Sequence, residues 1–355
     1  MVRQQTALVL GATGGIGGEV TRKLVGAGWR IRALHRRTTG RAAADGDGAG
    51  AITWIKGDAM ASGDVQAAAK GVDLIVHAVN PPGYRDWGRL VLPMIDNTIA
   101  AAHDSGARIL LPGTVYNYGP DAYDHGPDMR PALTENSPQQ PQTAKGAIRV
   151  ALERRLERAA DAGVRSLIVR AGDFFGPAPG NNWFSQGMVS PGRPVRRIIY
   201  PGRRGIGHQW AYLPDVADAM VRLVALDDRL APFTTVHTAG HWDADGTAMI
   251  GAIRRAVAQS GDAAATGSTR RLPAHRLPIY RLPWRLLAVA APFVPLIREL
   301  REMRYLWQQP VRMDNSRLIN LIGPEPHTPL DIAVTATLRG LGCLPAAQDQ
   351  TSQPG

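Results

Sequence analysis

Three groups of residues in this chain have types and spacings that could do chemistry. The first is Gly11, Gly14 and Gly17, spaced G-x-x-G-x-x-G within GATGGIG. Such glycines let a pyrophosphate approach the backbone with no Cβ in the way, and let a helix pack closely on the strand before it. The free N–H groups and dipole of that helix would then hold the anion. Gly11, Thr13, Gly14, Gly15, Ile16 and Gly17 are therefore the candidate cradle for a dinucleotide; the plainer reading is a structural glycine turn. The second group lies in LLPGTVYNYGP, where Thr114, Tyr116, Asn117 and Tyr118 offer hydroxyls and an amide. The third is Lys145, Arg149 and Glu153, each four residues apart, which share one face if the segment is helical.

The elements that would position these groups are legible in order. Ala7–Leu10 is an apolar run suited to a buried parallel strand, and Glu19–Val25 is amphipathic, closed by Gly26 and Gly28. Further strands are predicted at 30–34, 52–56, 72–79, 107–111 and 165–170, alternating with helices at 64–70, 90–105 and 143–162. In the last of these, Ile148, Leu152 and Leu156 recur as a core-facing stripe would. The alternation implies a right-handed, doubly wound parallel sheet of Rossmann type, with ligands at the carboxyl ends of the strands. Helices at 215–226 and 247–260 and a strand at 234–238 follow.

The loops after the strands carry the remaining cofactor candidates. Strand two ends in His35-Arg36-Arg37; an acidic residue there would bind ribose hydroxyls and select NAD, whereas arginines suit the extra phosphate of NADP. We read NADP as the preferred cofactor and NAD as the alternative; a solvated Arg pair is the plainer reading. Asp58, beside Ala59, could accept from the adenine amino group or cap the next helix. Ala78, Val79 and Asn80 would line the cleft. His77, inside an apolar run, reads as a packed, hydrogen-bonded residue rather than a catalyst.

At this point the sequence resembles the short-chain dehydrogenase/reductase superfamily, in its extended, epimerase/dehydratase-like branch. The resemblance spans roughly residues 6–224 and rests on GATGGIG, the VYNYGP loop, the Pro-rich lead into a helix with basic residues, VRAGDFFGP and YLPDVADAM. It implies an NAD(P)-dependent oxidoreductase or epimerase-like enzyme acting on a small carbonyl- or hydroxyl-bearing substrate, such as a sugar derivative, and a chain that commonly dimerises. Family members use a Tyr as general acid/base, a Lys four residues later and a Ser or Thr after strand five. Here Thr114 suits the orienting hydroxyl, or is a turn-forming Thr. With Glu153 aligned on the family's Glu, however, Arg149 falls on the Lys position and Lys145 on the Tyr position, so the site is atypical. Three readings stay open. Lys145 itself moves the proton, since a lysine pKa of about 10.4 is close to that of tyrosine and a nearby cation with burial lowers it. Tyr116 or Tyr118 supplies the acid instead. Or the chain binds NADP without turnover, as NmrA-like regulators do. Lys145 could also serve only as a ribose- or phosphate-binding residue.

Residues 1–175 are thus read as a dinucleotide-binding core, completed by segments around 210–240. Residues 176–344 are read mainly as a smaller C-terminal substrate lobe, and 345–355 as a disordered polar tail. In the lobe, Asn181, Trp183, His208 and Trp210 are candidate substrate residues, although the tryptophans could equally pack its interior. Arg193, Arg196, Arg197, Arg203 and Arg204 could bind an anionic substrate group or form a solvated surface. Apolar Leu286–Ile297, broken by Pro292 and Pro295, is too short to span a membrane; it reads as a pocket-covering helix pair in preference to a membrane-surface patch.

Composition excludes little else. The 41 Lys and Arg against 30 Asp and Glu give +11, but the arginines are scattered rather than blocked, which argues against a nucleic-acid partner. The single Cys343 precludes an internal disulfide and suits a reducing compartment. With Met1–Gln5 leading straight into the first strand and no signal peptide, a cytoplasmic location is expected. No clustered His, Cys, Asp or Glu spacing suggests a metal site.

Overall fold

A computed structural model describes residues 3–38, 50–81, 86–123, 132–178, 180, 182–262, 277–284, 287 and 301–345. The loop at 39–49, most of Leu286–Ile297, Asn181 and the tail from 346 lie outside the described residues.

The central sheet has seven parallel strands in the order β10-β6-β5-β4-β1-β2-β3. Its members are β1 (Thr6–Leu10), β2 (Arg30–His35), β3 (Ile52–Lys56), β4 (Leu74–His77), β5 (Arg108–Thr114), β6 (Ser166–Ala171) and β10 (Phe233–His237). Helices α1 (Gly15–Gly26), α2 (Ser62–Ala69), α3 (Trp87–Ser105), α4 (Ala144–Ala160) and α5 (Leu213–Val224) cover its faces. This is the Rossmann-type, doubly wound arrangement that the sequence implied. The buried core strands show no polar alternation because both faces are covered. Two apolar layers result. One packs Val9, Val20, Leu24, Val169 and Met220; the other packs Leu8, Ile75, Val91, Ile109 and Leu152.

Among the boundaries that differ from the sequence reading, two have a clear local cause. Helix α1 starts at Gly15, four residues before Glu19, because its first turn is made of glycines whose propensity is poor. Strand β5 runs on to Thr114 despite Pro112. Strand β4 pairs with it only as far as Leu110, so Pro112 sits where no ladder bond on that side is lost.

Most of the remaining described elements form a smaller lobe. Strands β7 (Asp173–Phe175), β9 (His208–Tyr212) and β11 (His241–Asp243) make a three-stranded sheet, and β8 (Ile198–Tyr200) pairs with β12 (Ile279–Arg281). Helices α6 (Ala248–Asp262) and α8 (Leu330–Gly340) complete it, whereas α7 (Ser316–Ile322) packs beside α5 and buries Leu318 in the layer of Val9, Val20 and Met220. The lobe's core is aromatic: Trp183, Phe175, Phe184, Tyr200, Trp210 and Trp307 are all buried. Strands β7, β9 and β11 escaped the sequence reading because they are short and, in β9, buried at every position.

Candidate functional site

In strand order the direction reverses between β1 and β4, and a cleft of about 590 Å³ opens there, at the carboxyl ends of the strands. It is lined by Gly11, Thr13, Gly14, Gly15 and Ile16 after β1, by His35 and Arg36 after β2, by Asp58, Ala59 and Met60 after β3, and by Ala78, Val79 and Asn80 after β4. The glycine types are dictated by contact. Gly11 has φ +93°, and a Cβ on it would meet the Ala78 carbonyl oxygen at 2.5 Å. A Cβ on Gly17 would meet the Gly11 carbonyl oxygen at 2.2 Å. Gly17 therefore lets α1 close on β1 rather than lining the cleft. The first N–H groups of α1 have no partner within their helix, as at any helix start, and Gly14, Gly15 and Ile16 at that start line the cleft. The residues fit a dinucleotide.

Further along the cleft the expected residues divide. Arg36 lines it, while Arg37 is not among the lining residues. The Arg37 backbone N–H donates to His35 Nδ1 at 3.0 Å, which closes a tight turn after β2. Asp58 Oδ1 accepts from Met60 N–H at 3.0 Å, and Asp64 rather than Asp58 takes the Asp58 N–H, so Asp58 forms its own turn and does not cap α2. Leu34, Leu90, Met94, Phe174, Asn182 and Leu213 also line the cleft. Sequence reasoning missed these; Phe174, in VRAGDFFGP, and Leu213, in the YLPD segment, carried a local signal.

Lys145 and Arg149 stand one turn apart near the start of α4, which Thr143 caps by accepting the Gly146 N–H at 3.0 Å. Both are buried. Lys145 Nζ is 5.8 Å from the centre of the Trp87 ring and the Arg149 guanidinium 5.1 Å, so one aromatic ring serves two cations. Arg149 also donates to Asn80 Oδ1 at 2.9 Å, tying α4 to the rim of the cleft. Thr114 closes β5, half-buried, with its hydroxyl 3.4 Å from Asn117 Oδ1. Tyr116 follows, and its backbone carbonyl lies against Gly146, where a Cβ would meet it at 2.4 Å. Thr114 and Tyr116 thus adjoin the start of the helix that bears Lys145. Behind them, His77 is buried with Nδ1 2.8 Å from Thr98 Oγ1; burial, then the charge of Arg149, pushes its pKa down to about 3, so it is a packed neutral residue.

A buried ion pair fixes the register of α4. Glu153, two turns after Lys145, accepts from Arg170 of β6 at 2.6 Å, and both side chains are nearly inaccessible. Arg170 Nη1 donates to the Tyr118 hydroxyl at 2.7 Å, and that hydroxyl donates to His237 Nε2 at 2.9 Å. His237 donates from Nδ1 to the Leu133 carbonyl at 3.1 Å. Burial, then the Arg170 charge, lowers the His237 pKa to about 3. This places Tyr118 differently from one sequence reading. Its hydroxyl is sealed in the network with its pKa raised to about 12, chiefly by burial, so it cannot act as the proton donor.

The substrate candidates fall in the lobe interior. Trp183, His208 and Trp210 are buried, and none lines the described cleft. Trp183 packs edge-on against Trp307 at 5.4 Å, and His208 stacks on Trp307 at 3.8 Å between ring centres. The tryptophans pack the lobe, the second of the two roles the sequence left open. Arg193, Arg196, Arg197, Arg203 and Arg204 are all exposed. Among the described residues no cluster of three or more His, Cys, Asp or Glu could hold a metal, and no helix is long and apolar enough to cross a membrane.

Residues 7–236 match the NAD dependent epimerase/dehydratase family. The chain belongs to that family. Solved structures share its fold at low identity. A putative epimerase from Burkholderia cenocepacia J2315 is 17% identical with a TM-score of 0.69, covering 95% of this chain and 98% of its own. UDP-glucose 4-epimerase from Bifidobacterium longum, in complex with NAD+ and UDP, is 14% identical with a TM-score of 0.67 at the same coverage. DesIV, a dTDP-glucose 4,6-dehydratase from Streptomyces venezuelae with NAD and TYD bound, is 17% identical with a TM-score of 0.63, covering 95% and 96%. Among curated proteins none matches the chain. The family and the cleft agree: this epimerase/dehydratase-type chain is an NAD(P)-dependent enzyme.

Proposed function

We propose that this family member catalyses hydride chemistry on a hydroxyl- or carbonyl-bearing sugar derivative, with NADP preferred over NAD. The observation that carries the reading is the meeting of Lys145, Arg149 and Asn80. Two buried cations share the Trp87 ring, and one of them, Arg149, is hydrogen-bonded to Asn80 on the cleft rim. The nicotinamide, when bound, would accept or donate hydride. Thr114 orients the reacting oxygen, and Lys145 takes or returns its proton. Arg149 holds Asn80 at the rim of the cleft. Arg36, in the cleft after β2 where no carboxylate stands among the described residues, pairs with the 2′-phosphate. The sugar assignment draws on what the similar structures hold. MoeE5, a further protein of similar fold, binds UDP-glucose and UDP-glucuronic acid in its solved structures, and the Bifidobacterium epimerase binds UDP.

The test is NADPH oxidation and NADP+ reduction over a panel of nucleotide sugars and simple carbonyls. Lys145→Ala is expected to lower turnover by about 100-fold or more, the usual worth of a general acid–base group, with NADP affinity retained. Tight NADP binding without turnover of any member, unchanged in Lys145→Ala, would sink the reading in favour of a non-catalytic NADP-binding protein. Cofactor choice has its own check. Arg36→Asp should lower NADP affinity relative to NAD by about 10- to 100-fold, the worth of one charge-assisted contact. An unchanged ratio would refute that role for Arg36.

A further inference from the structure

We propose that Asn182, from the C-terminal lobe, holds the diphosphate of the cofactor by donating its side-chain amide N–H groups. The proposal rests on the reading that the cleft binds NADP or NAD, and it depends neither on which is preferred nor on the role of Lys145. Position is the first argument. Gly180 and Asn182 line the cleft together with Gly14, Gly15 and Ile16. A carbon added at Gly180 would lie 3.9 Å from Gly15 N and 3.6 Å from Asn182 Nδ2. The first backbone donor of α1 and the amide of Asn182 therefore flank one point. An anion bound to the N–H groups of a helix start is, at α1, within reach of this amide.

Hydrogen bonding is the second argument, because it decides which end of the amide is left to bind. The Ser185 backbone N–H, which can only donate, lies 2.8 Å from Asn182 Oδ1. The oxygen is thus engaged, and Nδ2 with its two N–H groups has no hydrogen-bond partner among the described residues. The Gly180 carbonyl accepts from the Asn182 N–H at 3.0 Å and from the Ser185 hydroxyl at 2.7 Å, which braces the turn that carries the amide. Earlier in the same connection, Gly176 packs on Leu213, where a Cβ would come within 3.0 Å. Gly340 of α8 packs on Pro177, whose carbonyl oxygen a Cβ would meet at 2.3 Å. These contacts preset the amide, so little freedom is lost when an anion binds it.

Charge is the third argument. Among the described residues that line the cleft, Arg36 is the only lysine or arginine, and it follows β2. The diphosphate is therefore met by uncharged donors: the N–H groups at the start of α1 and this amide. A hydrogen bond from a neutral donor to a phosphate oxygen is charge-assisted and stronger than one between neutral groups. The competing role for Asn182 is to brace Ser185 through its oxygen and nothing more. Aspartate separates the two roles. It accepts from a backbone N–H as well as asparagine does at a helical turn, but its carboxylate has no N–H to give.

The experiment is calorimetric titration of the full chain with NADP+ and, separately, with NAD+, alongside thermal unfolding of the ligand-free variants. Asn182→Ala should weaken both cofactors by about 10- to 100-fold, the worth of one hydrogen bond to a charged group. The ratio of the two affinities should stay as in wild type, since both carry the same diphosphate. Asn182→Asp should weaken both further than alanine does, because a carboxylate oxygen then faces the phosphate, while Tm is held by the retained contact to Ser185. Gly180→Ala leaves that contact in place, and its added carbon meets nothing closer than 3.6 Å. It should keep the wild-type Tm and still lose affinity for both cofactors, because the methyl group stands beside both donors. Wild-type affinity in Asn182→Asp overturns the proposal and leaves the bracing of Ser185 as the role of the residue. Wild-type affinity in Gly180→Ala overturns it too, and so does a loss in Asn182→Ala confined to NADP+, which would put the amide at the 2′-phosphate. A wild type that binds neither cofactor refutes the dinucleotide site and this contact together. A wild-type preference for NAD+, or an absence of turnover, refutes the assignment of Arg36 or of Lys145 and leaves this one to be decided by Asn182→Asp.

Discussion

Replacing Gly17 by alanine should separate the cradle from the strand that supports it. The added carbon would lie 2.2 Å from the Gly11 carbonyl oxygen and 2.8 Å from its carbon, and ordinary contact begins near 3.4 Å. The backbones must part by about 1.2 Å, and neither neighbour is a side chain that can swing aside. Overpacking of this kind costs about 1–3 kcal/mol, partly offset by up to about 1 kcal/mol of helix propensity gained over glycine. The net loss of about 1–2 kcal/mol should lower Tm by a few degrees. The larger effect is on binding, because N–H groups at the start of α1 would move off the phosphate. Losing one charge-assisted hydrogen bond weakens NADP+ by about 10- to 100-fold. The matched control is Gly26→Ala in the same helix, where a Cβ meets nothing within 4 Å. It should hold or raise Tm and leave affinity unchanged. Calorimetric titration with NADP+ and thermal unfolding of the two variants give the answer. Wild-type affinity in Gly17→Ala, or equal losses in both variants, would refute the close-approach argument.

Two further outcomes follow from buried charge. Glu153→Gln leaves Arg170 buried beside a neutral amide, so it should cost about 3–5 kcal/mol, measured by urea unfolding. A loss under 1 kcal/mol would show that the pair does not anchor α4. His77 and His237 are neutral when folded, with pKa values near 3, and protonate near 6.5 once unfolded. The unfolded chain therefore binds more protons between pH 6.5 and about 3. Stability is full above pH 6.5 and falls as pH drops through that window, by about 2 kcal/mol per ring between pH 7 and 5. Urea midpoints that do not fall between those pH values would contradict the neutral, buried placement of both rings.

Much of this was legible in the sequence because it depends on neighbours along the chain. The order of apolar runs and amphipathic segments determined the doubly wound sheet. The spacing of Gly11, Gly14 and Gly17 marked the cradle, since a tight strand-to-helix turn is a local demand. The four-residue steps from Lys145 to Glu153 set those side chains on one face of α4. Tertiary structure decided what each group does. Tyr116 and Tyr118 look alike in VYNYGP, yet one reaches Asp173 and the other is sealed against Arg170 and His237. The tryptophans of the lobe could have lined a pocket or filled a core, and only packing against Trp307 settles the choice. His208 and Asp173 are 35 positions apart with no shared motif, and they meet because β7 and β9 lie side by side in the lobe sheet. Local spacing fixes faces and turns; which buried polar groups come within hydrogen-bonding distance depends on how distant strands pair.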